Sequence, residues 1–228
     1  MALCWICKTE EGTTGEHLTK RSDIKAVLGG TGPLHLHNRQ RRNIKLQSLN
    51  ARKLKSTAPM CNTCNSWRTQ LHDYAWETLS DALRLRRPGL KHGDIVRADR
   101  IFPYDTAKQM LNVHLFFVKW LGCQIVESNI PINPPIDTFS KAIMNGTPHQ
   151  NIWLAFGVSG RDGWVGSSDV GAATFASTPG TYDYLCRIYE VGRLHVRVRF
   201  SGVKLKDDWH PRDRNRFIIA DLTGEHKN

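Results

Sequence analysis

The chain has 228 residues, 40% of them hydrophobic and 23% charged, a balance that supports a real core and excludes the disordered class. Lys and Arg number 32 against 21 Asp and Glu, a net charge of +11 that favours an anionic partner such as nucleic acid. No apolar run nears the roughly 18 residues of a spanning helix, and MALCWICKTE lacks the basic start and apolar stretch of a leader. A cytoplasmic protein without membrane association is therefore expected.

Along the chain, two cysteine pairs come first: Cys4-x-x-Cys7 and Cys61-x-x-Cys64. In a reducing compartment such spacing reads as metal binding rather than as disulfides, and two pairs of this type build a tetrahedral Cys4 zinc site. The 53 residues between the pairs exceed the usual ribbon spacing of about 15–20, so the intervening chain has to loop out while its ends are clamped. Cys123 and Cys186 stand in apolar runs and read as small core residues. The first 68 residues hold twelve Lys or Arg against four acids, a net +8. The stretch 29–55 has neither helical nor alternating apolar order and reads as a long basic insertion.

After the second pair, Trp67, Leu71, Tyr74, Ala75, Thr78, Ala82 and Leu85 fall near helical spacing, which predicts a helix over 65–87 stopped by Pro88-Gly89. Further helices are predicted over 105–122 and 136–145. From residue 151 the pattern changes to short β-rich runs, NIWLAFGV, YDYLCRIYEV, RLHVRVRF and RFIIADL. The third alternates strictly, with Leu194, Val196, Val198 and Phe200 on one side and His195, Arg197 and Arg199 on the other, and Val191-Gly192 marks a tight hairpin before it. Asp207-Asp208 and Trp209-His210 form no known site and read as turn residues. The fold class is α+β. A zinc-stapled module over 1–88 is followed by an 89–228 domain of helices and a mostly antiparallel sheet.

Within the cysteine frame lies Glu16-His17, and the second pair runs directly into Asn65 at a helix start. Cys4, Cys7, Glu16, His17, Cys61, Cys64 and Asn65 together resemble the HNH endonuclease group, over about residues 1–80. That resemblance implies a ββα-metal fold, in which a hairpin and a helix hold one divalent cation. It implies His17 as general base, with Glu16 and Asn65 holding magnesium or manganese, zinc in a structural role and DNA as substrate. Arg39, Arg41, Arg42, Lys45, Arg52, Lys53 and Lys55 would then meet phosphates beside the site, giving salt-sensitive affinity without base specificity. The sequence departs from the family at Thr19, where a proline is usual, and at its middle Asn, for which Asn43 and Asn50 both fit loosely. His35, His37 and His72 are further polar candidates near the site. Two other functions compete: a non-catalytic zinc-ribbon protein that binds nucleic acid or blocks another protein, and an activity or protein partner belonging to the C-terminal domain.

Overall fold

The computed structural model describes residues 2–29, 34–37, 43–160, 162–168, 171–173 and 180–222. Its elements are α1 (Arg21–Leu28), β1 (Leu34–Leu36), β2 (Ile44–Leu46), α2 (Gln70–Arg84), β3 (Ile95–Arg97), α3 (Thr106–Glu127) and α4 (Asp137–Asn145), followed by six strands. These are β4 (Ile152–Val158), β5 (Val165–Ser167), β6 (Gly171–Ala173), β7 (Tyr184–Val191), β8 (Leu194–Ser201) and β9 (Arg216–Ile218). The mixed helix and antiparallel-sheet architecture expected from the sequence is present. The main sheet runs β4-β8-β7-β5 with β6 also on β7, and every pairing in it is antiparallel. β7 and β8 are joined through Gly192, whose positive φ of 56° suits the tight hairpin turn.

The N-terminal segment adds a short ladder of its own. Thr14 pairs with Met60 and His17 with Lys55, both antiparallel, and the Ser56 and Leu18 amides donate to the Glu16 and Leu54 carbonyls at 2.7 and 2.8 Å. Gly15 is needed where the two runs touch, because a Cβ there would lie 2.4 Å from the Ser56 oxygen. The chain then turns at the second cysteine pair into a π turn, Thr63–Arg68, and on into α2. Between the two bridged runs come α1, β1, β2 and a 3-10 turn, and the second run leads through the cysteine pair into α2. Within 29–55, read from the sequence as unpatterned, a small β1–β2 hairpin forms over a satellite core of Ile24, Leu46, Leu49 and Leu54.

One apolar cluster runs from Trp5 and Ile6 through Met60 and Trp76 to Phe116, Trp120 and Tyr189 and on to Phe200 and Phe217, so the core is continuous across residue 88. Trp76 stacks on Phe116 at 5.5 Å and meets Phe117 and Tyr189 edge-on, a geometry that aromatic quadrupoles favour.

One expectation about the helices is corrected. The predicted apolar face of the 65–87 helix is largely the outer one: Trp67 is 82% exposed and Leu71 and Tyr74 more than half exposed, while His72, Ala75, Trp76, Leu79, Ser80 and Leu83 face inward. The helix carries two possible stripes, the π turn breaks the phase between Trp67 and the residues after it, and the aromatic stacking around Trp76 decides which stripe is buried. The alternating run of β8 is present as expected, and both of its sides are covered, so that all eight residues are buried. Its polar side is covered because Asp208 reaches back to Arg197 at 3.3 Å and also bonds Arg199, while His195 faces Glu190 at 3.5 Å. Asp208, read from the sequence as a turn residue, is thus a buried ion-pair partner.

Candidate functional site: a cysteine cluster beside Glu16 and His17

The four thiols of Cys4, Cys7, Cys61 and Cys64 lie within 4.8 Å of one another, and the Cys7 and Cys61 sulfurs are 3.8 Å apart. Tetrahedral zinc with bonds of about 2.3 Å sets its sulfurs about 3.8 Å apart, so the cluster can hold a zinc ion. Both turns are backbone-ordered: Lys8 donates to Cys4 O at 2.9 Å and Asn65 to Cys61 O at 3.0 Å, while the Cys64 amide points at Cys61 Sγ. Burial raises the Cys7 thiol, but bonds from Thr9, Glu10 and Cys61 outweigh it and bring the thiol down to about 6. Burial and the neighbouring sulfurs push Cys61 up to about 11, and Cys64 higher still. Among the described residues no other group of three or more His, Cys, Asp or Glu converges in this way.

Ten residues beyond Cys7 the ladder places Glu16 and His17 on opposite sides of the chain. The half-buried His17 ring sets Nε2 3.2 Å from the Leu49 carbonyl. A carbonyl can only accept, so Nε2 carries the proton and Nδ1 keeps its lone pair. Burial lowers the imidazole pKa most, and Lys55 and Arg21 lower it further against the opposing pull of Leu49 and Glu16. The ring is therefore neutral near pH 7.

Glu16 turns inward. Its Oε2 lies 3.1 Å from Nζ of Lys119 on α3, whose side chain has no exposure at all. The same ammonium lies 3.1 Å from Asp73 Oδ1 and donates to Thr69 Oγ1 at 3.2 Å. Thr69 in turn donates to the Cys64 carbonyl at 3.0 Å, which connects the ammonium to the cysteine turn. Lys20 lies 3.3 Å from Glu77 and 3.7 Å from Asp73 at the edge of this network. Burial works against the charge on Lys119, but Glu16 and Asp73 outweigh it and hold the side chain firmly protonated.

Asn65, expected as the second ligand, sits half-buried in the π turn. A cation at Glu16 would share that carboxylate with a lysine ammonium. While Lys119 stands there the residues do not fit a divalent ion at Glu16.

Of the basic residues, Arg39, Arg41 and Arg42 lie outside the described residues. Lys45 is exposed on β2, Arg52 and Lys53 are exposed in a 3-10 turn, and Lys55 pairs across the ladder with His17. His35 and His37 are exposed on or just after β1; His37 lies 6.1 Å from Trp164, ring to ring. His72 is buried on the inner face of α2, where burial above all, and Lys119 next, bring it down to about 4. Asn43 has a positive φ of 57°; Asn50 follows the carbonyl that holds His17.

Lys119, Asp73 and Thr69 do not stand out in the sequence as site residues. A signal is nonetheless present in LFFVKWLGC, where one charge interrupts an apolar run on a helix. Such a charge is buried only with partners. No helix among the described residues is long and apolar enough to cross a membrane. Compared with protein-family models, with curated proteins and with solved structures, the chain gives no match.

Proposed function

We propose that the chain acts on nucleic acid as an HNH-type endonuclease, with His17 as the general base of phosphodiester hydrolysis. The observation that carries this reading is the His17 ring, held through Nε2 by the Leu49 carbonyl at 3.2 Å on a run that bridges to Lys55, in the chain between two cysteine pairs whose thiols converge. A neutral imidazole fixed at one nitrogen presents the other as a proton acceptor. Water would give its proton to Nδ1 as its oxygen bonds to phosphorus, the bond from phosphorus to the leaving sugar oxygen would break, and that oxygen would take a proton from solvent. Zinc in the Cys4 cluster would supply folding energy and no chemistry. Lys55 across the ladder from His17, with exposed Arg52 and Lys53 beside it, would meet the phosphates flanking the scissile bond. The HNH resemblance implies magnesium or manganese at Glu16 and Asn65; the ammonium against Glu16 weighs against that, and the role given to His17 does not depend on it.

The test is cleavage of supercoiled plasmid by the zinc-loaded chain, with and without magnesium or manganese. His17→Ala is expected to slow cutting by about 10²–10⁴-fold while zinc content and circular dichroism stay unchanged. Equal cutting by wild type and His17→Ala would overturn the assignment. A second reading, a non-catalytic nucleic-acid-binding protein on the same scaffold, is favoured by the Lys119–Glu16 pair, and predicts retention of DNA without cleavage under any of these conditions.

A further inference from the structure

We propose that Lys119 is the resident cation of the Glu16 pocket, so that the protein closes this pocket with its own ammonium and takes no divalent metal there. The inference stands whether the chain cuts DNA or only binds it.

Three observations carry it. The ammonium is the meeting point of separate parts of the fold: Glu16 from the ladder at 3.1 Å, Asp73 from α2 at 3.1 Å and Thr69 from the turn before α2 at 3.2 Å. Two carboxylates and one hydroxyl around a single positive centre are a hard-cation donor set, here filled by nitrogen. Lys119 also comes from deep within α3, between the buried Val118 and Trp120, so it is not a flexible surface chain that could swing aside to admit an ion. Finally, its side chain is 0% exposed and Glu16 only 13%, so the ammonium has no route to a phosphate. Lys119 is a positioning residue: it fixes Glu16, and through it the strand that presents His17 on its other side.

A divalent ion at Glu16 would stand beside a fixed like charge, and that repulsion is severe in a buried setting. Removing the ammonium while leaving both carboxylates would turn the pocket into a cation site. Lys119→Met removes the charge and keeps most of the side-chain length.

The experiment is a Mn2+ titration of the zinc-loaded full chain, followed by electron paramagnetic resonance of free Mn2+, on wild type, Glu16→Gln, Lys119→Met and the double variant. Wild type and Glu16→Gln are expected to bind Mn2+ alike. Lys119→Met is expected to gain a site at least about tenfold tighter than any in wild type, and the double variant to lose it. A Mn2+ site in wild type that Glu16→Gln removes would overturn the proposal. So would a folded Lys119→Met protein that gains no site. If Lys119→Met does not fold, wild type against Glu16→Gln still decides: equal binding supports the proposal and a loss refutes it. The plasmid assay on His17→Ala reads the nuclease assignment separately, so either can fail alone.

Discussion

Several side chains near the N-terminus hold distant chain together through single polar atoms. Asp23, 2% exposed, accepts from the Trp76 indole at 2.8 Å and from the Tyr189 hydroxyl at 2.6 Å, and Tyr189 in turn accepts from the Lys20 amide. Burial raises the Asp23 carboxyl most; Tyr189, Trp76 and Lys20 restrain that rise. One residue of α1 thus ties α2 to β7. Asp23→Ala leaves both donors facing apolar surroundings and is expected to cost about 1–3 kcal/mol for each donor left without a partner. Asp23→Asn keeps an acceptor and should lose less. Urea unfolding of the two variants against wild type checks the ordering.

At the scale of elements, α3 organises the molecule. It supplies Lys119 to the Glu16 pocket and Trp120 to the Leu18 carbonyl at 2.8 Å, and its buried His114 accepts from the His149 amide at 3.2 Å. His149, just before β4, and His210, ahead of β9, complete a buried imidazole group. His210 Nε2 donates to the His149 carbonyl at 3.1 Å, and its ring lies 5.1 Å from that of His114. Burial first, and His210 second, bring His149 down to about 4 from an ordinary 6.5; burial holds His114 and His210 below their ordinary range too. A folded-state pKa below the unfolded one means that the unfolded chain takes up the proton first. The stability is therefore intact above 6.5 and falls as pH drops toward about 4. Between pH 7 and about pH 5, His149 is expected to account for roughly 1–2 kcal/mol of lost stability. Denaturation midpoints against pH should fall less steeply in His149→Gln, where Thr138 and His114 keep a polar neighbour.

These elements differ in how far the sequence discloses them. The helix behind Lys119 is predicted over 105–122 and extends to Glu127, and the alternating run of β8 and its hairpin are readable from period alone. Local pattern is enough where apolar spacing and turn residues agree. The inward stripe of α2 is not readable, since Trp67, Leu71 and Tyr74 are as periodic as His72, Trp76 and Leu79, and only packing against α3 chooses. The cysteine cluster is legible because four identical ligands declare a common target. The partner of Glu16 is not, because it lies over a hundred residues away and pairing across such a span leaves no periodic trace.

Over the whole molecule, charge and core divide the labour. Of the net charge of +11, the first 68 residues hold +8; the residues around the cysteines share one apolar cluster with the C-terminal sheet, while the basic stretch packs on a satellite cluster of its own. On the proposed nucleic-acid reading, replacing Lys45, Arg52, Lys53 and Lys55 by Ala is expected to weaken DNA binding across sequences. The slope of log affinity against log salt should flatten by about 0.9 for each phosphate that no longer meets a cation. Filter binding from low to moderate salt reads this, and an unchanged slope would place the nucleic acid elsewhere.

Gly122 on α3 lets the indole of Trp5 lie directly on the helix backbone; a Cβ at this position would stand 2.4 Å from the ring. Trp5 is the neighbour of Cys4, so the packing of this distant helix bears on the N-terminal cysteine turn. Zinc held by the four cysteines would then be linked to that packing. A methyl group added at 122 would surface as sensitivity to chelators, in a residue that touches no ligand.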